Sequence, residues 1–444
     1  MVPRERPLLK RLNPFARLPN PRAVWAWGMY DLANQSFQLL INTLLFAVFV
    51  QNVVFADPAS GKRGWSYMVA ASMILVIVLS PVLGAMADQR AWKRELLLTT
   101  GFVCAALTVG LAVLQPGWVW VAAALYVVAA LACGLGENFL GSFLPEISTP
   151  ANVGFVSALG WTMSYVGALM LLGITAIFAF VLGRDDVSQM RPMFVLAGLW
   201  FLAGMAPALL FLREKATPRP SARGVPVVLG ALRRLLASAA QTARFRHLFR
   251  FLLIFFVYSM GTKIVIVFLG IIGDRMGFGL KQLVLFALLL ALTAGVASAL
   301  AARFQDRFGH RRTIRVFLAL WALATASLAT AHQVGAPAWM TWGIAGAIGL
   351  GLGGIGTSSR AMVGLFTPEH RAAEFFGVWG TIDKLALVVG ALLFGAVPMG
   401  AGLYMVSGFF VAGLVLMGLV DERGGARAAA ESIANHDHRT PRPA

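Results

Sequence analysis

Charged side chains are scarce in this chain. Asp, Glu, Lys and Arg together make up 13% of its 444 residues, about half the quarter usual in soluble domains. Cysteine is scarcer still. Only Cys104 and Cys133 occur, each inside an apolar run, which excludes a disulfide scaffold and a cysteine-rich metal module and reads as small packing residues. There is no Walker-type phosphate loop, no metal-ligand spacing and no paired-carboxylate enzyme site, so nothing calls for a cofactor or a catalytic centre. Met1 to Pro21 is rich in Arg and Pro and has no apolar core, so it does not read as a cleavable signal peptide. What fills the chain instead is apolar: 59% of residues before its 46 glycines are counted. No soluble core of this length needs that much, because larger chains split into separately wetted domains. The composition is that of a polytopic membrane protein.

A spanning helix needs about 20 mostly apolar residues. Such runs lie near 23–55, 64–87, 95–115, 118–141, 153–181 and 190–212, and again near 247–273, 281–303, 313–333, 336–362, 372–397 and 400–421. The pattern is six spans, a break and six more, with tails at 1–22 and 422–444. It predicts a bundle over 23–212, a linker over 213–246 and a second bundle over 247–421. The linker holds Pro218, Pro220 and Pro226, and Val228, Leu232, Leu235, Leu236 and Ala239 fall on one helical face opposite Arg233 and Arg234, as in a helix lying on a membrane surface.

A net charge of +18 raises the question of nucleic acid, and the placement of the charges answers it. With the N-terminus inside, the inner segments carry 29 of the 37 Lys and Arg residues, the outer loops 6, and Lys263 and Lys384 the remaining two, inside spans. That asymmetry places both termini in the cytoplasm and accounts for the charge without nucleic acid. The membrane expected is a bacterial-type inner membrane.

The halves repeat one another. Asp88-Gln89-Arg90 with Lys93-Arg94 recurs 218 positions on as Asp306-Arg307 with Arg311-Arg312, while Gly134-Leu-Gly136 recurs as Gly354-Ile-Gly356 and Gly160 as Gly380, both offset by 220. Parallel six-helix repeats are a known transporter architecture with the substrate site at their interface. Gly84-Ala-Met-Ala-Asp88-Gln-Arg90 resembles the loop 2–3 signature of the major facilitator superfamily. Asp306-Arg-Phe-Gly309-His-Arg311-Arg312 resembles its second copy, with Ala302 in place of the leading glycine. Tyr30-Asp31-Leu32-Ala33-Asn34-Gln35-Ser36-Phe37, Phe143-Leu-Pro145-Glu146-Ile147, Ser157-Ala-Leu-Gly160-Trp161 and Ala373-Glu374-Phe-Phe376-Gly377 with Lys384 are similar to the branch related to the fungal vacuolar amino-acid effluxer. The resemblance implies an all-α fold of twelve transmembrane helices in two pseudo-symmetric six-helix bundles. It also implies export of amino acids or related solutes. Two positions depart from that branch: Tyr258-Ser259-Met260-Gly261 lacks its carboxylate in span seven, with Lys263 close by, and Asp383 replaces a glycine before Lys384.

Charges inside spans cost about 2.5–3.5 kcal/mol each on insertion scales and so face a cavity or a partner. Asp31, Gln35, Gln38 and Asn42 share one face of the first helix at steps of four, three and four, with Asn34 in the same cluster. This stripe lines a cavity or serves helix-to-helix bonding. Lys263 and Lys384, with Tyr258 and Asp383 nearby, either hold an anionic group together or leave Lys263 paired to Asp383. Asp383 and Lys384 themselves point about 100° apart. Gly84, Asp88, Arg90, Glu137, Asp306, Arg307 and Arg311 are the candidate gate, with glycine allowing close helix approach and Glu137 positioned either to pair with Arg90 or to act in transport. Gly349, Gly351 and Gly354 spell a dinucleotide-type fingerprint inside an apolar run, where helix packing is the better explanation.

These features predict a secondary active transporter that works by alternating access and takes a small molecule. A proton is its coupling ion, carried by Asp31 or Asp383, and it functions as a monomer in the bilayer. A transporter or flippase of a larger anionic amphiphile, such as a lysolipid or muropeptide, is the alternative. A non-transporting receptor or scaffold is the third reading, and gate motifs in both halves argue against it. The charge asymmetry is open to test with single cysteines. A cysteine at Ser60 should react with an impermeant maleimide from outside intact cells and one at Ser221 should not; the reverse pattern would invert the topology.

Overall fold

The computed structural model describes residues 15, 18–148, 153–181, 183, 186–214, 245–334, 338–367 and 372–437. Among them the regular structure is entirely helical. The first half contains α1 (Pro21–Val54), α2 (Pro58–Arg90), α3 (Lys93–Gly110), α4 (Val119–Ser142), α5 (Val153–Val181) and α6 (Arg191–Phe211). The second contains α7 (Arg246–Val267, continued by Leu269–Arg275), α8 (Leu280–Phe308), α9 (His310–Val334), α10 (Ala338–Leu365), α11 (Ala372–Ala396) and α12 (Met399–Leu416). A further helix, α13 (Glu422–Asp437), follows the last span. The linker face from Val228 to Ala239 lies outside the described residues.

Eleven of these helices are long and apolar enough to cross a membrane. The twelfth, α10, has the length, 28 residues, but glycine, Ser and Thr take the places of aliphatic side chains along it. It packs between α8 and α9, so small residues at helix contacts replace hydropathy as the reason for its placement.

α1 starts with Pro21 in its first turn, where a missing N–H costs nothing. From Ser36 to Leu45 the helix widens to i→i+5 bonding, and the Thr43 hydroxyl donates to the Gln38 carbonyl five residues back at 2.9 Å. Wide turns of this kind concentrate at functional sites. α2 is capped by Asp57, whose carboxylate accepts from the Ser60 amide at 2.8 Å. It ends at Ala91, held at φ 55°, a left-handed position that turns the chain directly into α3.

Each half is tied to itself at the face carrying the chain termini. Arg94 donates to the Leu209 and Leu212 carbonyls at the end of α6, at 2.6 and 2.8 Å, while Glu214 accepts from the Arg94 amide at 3.2 Å. The second half repeats the device. Arg311 donates to the Gly418 carbonyl at 3.0 Å, and Glu422 accepts from the His310 and Arg311 amides at 2.9 and 3.0 Å. A carboxylate thus sits on the positive end of α3 and of α9, and a guanidinium on the negative end of the helix that closes each half. Burial pushes the Glu214 carboxyl above its ordinary value against the pull of the Arg94 amide.

The hydrogen bonds tying one half to the other lie at the opposite face. Gln51 and Asn52 donate to Asp274 at 3.0 and 2.9 Å, the Trp65 indole donates to the Val267 carbonyl at 3.2 Å, and Lys62 donates to the Val397 carbonyl at 2.7 Å over the ring of Phe394. Gly270 packs against the Leu44 carbonyl so closely that a Cβ there would collide with it.

Losing the Glu422 carboxylate leaves the His310 and Arg311 amides without their acceptor, a cost of about 1–3 kcal/mol. Glu422→Ala should lower the thermal midpoint of the detergent-solubilised protein while Arg423→Ala, on the exposed side of the same helix, leaves it unchanged. Equal midpoints would remove the brace as a stabilising element.

Candidate functional site

The polar stripe of α1 is satisfied inside the first half. Asn34 and Gln38 both donate to Glu137 Oε1 of α4, at 2.8 and 2.7 Å. Asn42 donates to Gln38 Oε1 at 3.3 Å, Tyr126 donates to Asn42 at 2.5 Å, and the Cys133 thiol donates to Asn34 at 3.0 Å. Asp31 stands within electrostatic reach of Glu137. Gln35 leaves this group and donates to Ser164 of α5 at 2.5 Å. The single expected face is therefore divided between α4 and α5, because α1 is wedged between them and its wide turn rephases the side chains.

Glu137 was a candidate for pairing with Arg90, and the structure puts the two apart. Glu137 is the hub of the α1 network, while the Arg90 guanidinium lies over the Trp92 ring at 4.5 Å. Glu137 is nevertheless exposed, as is its neighbour Asn138, which donates to Ser80 of α2 at 2.6 Å. Glu137 is thus a carboxylate bonded to α1 that keeps an exposed side.

In the second half, Lys263 Nζ lies 2.6 Å from Asp383 Oδ2, with 26% and 30% of the side chains exposed. Of the two arrangements open to the lysines, this is the paired one: Lys263 is neutralised by Asp383, and Lys384 points elsewhere on α11. Tyr258 is fully buried, its hydroxyl 2.7 Å from that of Ser359. The residue that sequence reasoning missed is Arg360. Counted with the loop charges, it lies inside α10, 5.8 Å from the Trp379 ring and within electrostatic reach of Asp383 and of Tyr165 on α5. Its signal was available: a charge five residues before the end of a 28-residue helix is an intramembrane charge. Among the described residues nothing lies within 4 Å of a Cβ built at Gly356 or Gly380, so α10 and α11 face open space beside Arg360.

The gate candidates divide. Arg311 is spent on the brace of its own half, Arg307 is exposed, and among the described residues nothing lies within 4 Å of a Cβ at Gly84. Asp88 and Asp306 stand in the last turns of α2 and α8, but their side chains lie outside the described residues.

A family model described as "Vacuole effluxer Atg22 like" matches residues 65–154 and 151–430. The chain belongs to this Atg22-like family. It is 23% identical over 415 residues to an uncharacterized MFS-type transporter of Bacillus subtilis, YxiO, covering 89% of this chain and 94% of that one. It is 24% identical over 288 residues to autophagy-related protein 22-2 of Aspergillus clavatus, spanning 46% of that longer protein. In fold it is similar to the inward open xylose transporter XylE from E. coli (15% identity, 90% and 95% coverage, TM-score 0.61). The nucleoside transporter NupG is a further neighbour (10% identity, 92% and 99% coverage, TM-score 0.65). The Atg22-like chain is therefore a multi-pass transporter of the major facilitator superfamily and not an enzyme.

Removing one member of a partly buried ion pair strands the other, whereas removing both does not. In this Atg22-like transporter, Lys263→Gln and Asp383→Asn should each reduce the yield of monodisperse protein or its thermal midpoint, and the double variant should recover most of the loss. A double variant equal to the sum of the singles would show that the two charges are not coupled.

Proposed function

We propose that this transporter exports amino acids or closely related zwitterions from the cytoplasm, in exchange for protons, by rocking of its two halves around the opening beside Glu137 and Arg360. The observation that carries the reading is the separation of charge across that opening. The first half offers Asp31 and Glu137; the second offers Arg360 beside the Lys263–Asp383 pair, whose two charges offset one another. An α-ammonium is favoured at the carboxylates and an α-carboxylate at the guanidinium, whose planar fork suits two carboxylate oxygens. A purely anionic solute would gain at Arg360 but be opposed by Asp31 and Glu137.

Proton coupling rests on Asp31 and Glu137. Two carboxylates within electrostatic reach resist ionising together, and an ammonium arriving between them favours the doubly ionised form, so substrate and proton compete for one site. That competition is what exchange requires. The 29-to-6 charge asymmetry supports both termini and the open face lying in the cytoplasm of a bacterial-type cell, with substrate loading from that side. The Gln51, Asn52 and Asp274 contacts then form the outer seal that must part for release.

Counterflow in proteoliposomes over amino acids, lysolipids and sugars tests the substrate class; counterflow of a lysolipid without that of any amino acid would overturn it. Arg360→Gln should weaken binding of an amino acid at least tenfold, about 1.4 kcal/mol, and of its carboxamide much less. Glu137→Gln should keep counterflow but lose accumulation driven by a pH gradient. If Glu137→Gln still accumulates substrate as the wild type does, the proton assignment falls.

A further inference from the structure

A second binding surface lies away from the opening, where α1 begins and α6 ends. A cavity of about 450 Å³ is lined by Pro19, Asn20, Arg22, Leu210, Phe211 and Arg213, among others, and among the described residues no acidic side chain contributes to its lining. Arg22 and Arg213 are both exposed. Arg213 also borders a neighbouring cavity in which Arg94 faces Glu95 and Glu214. Of these two neighbouring cavities, the acids line the one beside α3, and the one at Arg22 is lined by Arg22 and Arg213 without them.

One helical turn from Arg22, Trp25 and Phe211 meet edge to face with ring centroids 6.3 Å apart. They remain 37% and 38% exposed, and Leu210 beside them is 66% exposed. A basic recess directly adjoining an exposed aromatic and aliphatic ridge on spanning helices has the amphiphilic order of a lipid: anionic headgroup, then acyl chain. Tryptophan at a helix end belongs to the headgroup level of a bilayer, which puts the two guanidiniums at phosphate depth. The chain ahead of the recess adds Arg4, Arg6, Lys10, Arg11 and Arg17, a polybasic segment of the kind drawn to anionic leaflets.

We propose that this recess holds an anionic phospholipid, its phosphodiester on Arg22 and Arg213 and its chains along Trp25, Leu210 and Phe211. The site is separate from the transport opening, and its occupancy ties the first and sixth helices of the first half to the lipid leaflet. Arginine suits the role because its fork takes two phosphate oxygens at once.

Native mass spectrometry of the full-length protein in neutral detergent reads the site directly, with phosphatidylglycerol and phosphatidylcholine of identical chains as probes. Phosphatidylglycerol should be retained at least tenfold more tightly than phosphatidylcholine. The Arg22→Gln/Arg213→Gln protein should lose that preference, and Arg423→Gln, a charge removed from the same face outside the recess, should keep it. Should the double glutamine variant not be monodisperse, Arg22→Lys/Arg213→Lys serves in its place: it keeps the charge but loses the fork, and should show a reduced preference. Undiminished retention in whichever variant is measured would overturn the proposal. Displacement of phosphatidylglycerol by millimolar inorganic phosphate would overturn it too, by making the recess a site for soluble anions.

Discussion

A polar helix face cannot look at hydrocarbon, and the first half of this protein is organised around that prohibition. Asn34, Gln38 and Asn42 run along α1 inside a membrane-spanning segment, Asn34 fully buried and the other two half-buried, and each needs a polar partner there. Glu137 resolves the conflict by accepting from two of them on one oxygen, and Tyr126 and Cys133 complete the chain from α4. α1 and α4 are held together by this network rather than by hydrophobicity, which does not distinguish a helix neighbour from lipid. The network is also what makes the site. Its hub is a carboxylate that keeps one side exposed, so the same bonds that fix the helices fix the position of an acidic side chain.

The second half solves the corresponding problem differently. Its intramembrane charges are an ion pair, Lys263 with Asp383, and a guanidinium beside an indole, Arg360 with Trp379. Sequence repeats related by 218 to 220 positions therefore do not carry equivalent chemistry. Gly136 packs near Tyr30 and Thr100, whereas its repeat Gly356 faces open space among the described residues. The repeat survives where it is mechanical, in the two braces built on Arg94 with Glu214 and on Arg311 with Glu422. Each half needs the same internal tie to move as one body. Outside these braces the two halves carry different polar side chains.

Closure is just as asymmetric. At the face opposite the termini, Asp274, Val267 and Val397 receive donors from α1 and α2, and Gly270 allows the Leu44 carbonyl to approach. At the terminal face the basic loop residues turn inward to their own half. An arginine that bonds a helix end of its own bundle is not available to bridge to the other in the same state, which is the physical content of alternating access at the level of side chains.

The spans, their number, their six-and-six grouping and the superfamily were legible in the residues, because apolar run length and repeated loop motifs are local properties. α10 was legible too, by its length, although its glycines deprive it of the hydropathy that marks the other eleven. Which polar residues would form the site was legible only in part. Steps of three and four put Asp31, Gln35, Gln38 and Asn42 on one face of an ideal helix, but the i→i+5 stretch from Ser36 to Leu45 and the positions of α4 and α5 divided them. Arg360 was read as a loop charge because helix ends blur in sequence, and Glu137 as a gate residue because its partners lie about a hundred residues away. Pairing of Lys263 with Asp383, 120 positions apart, was one of two options that residue spacing left equal. Sequence by itself determined the elements and their order, since those follow from transfer of side chains out of water one helix at a time. Tertiary structure decided which charges cancel and which remain to bind, since that depends on distances between helices that no local pattern encodes.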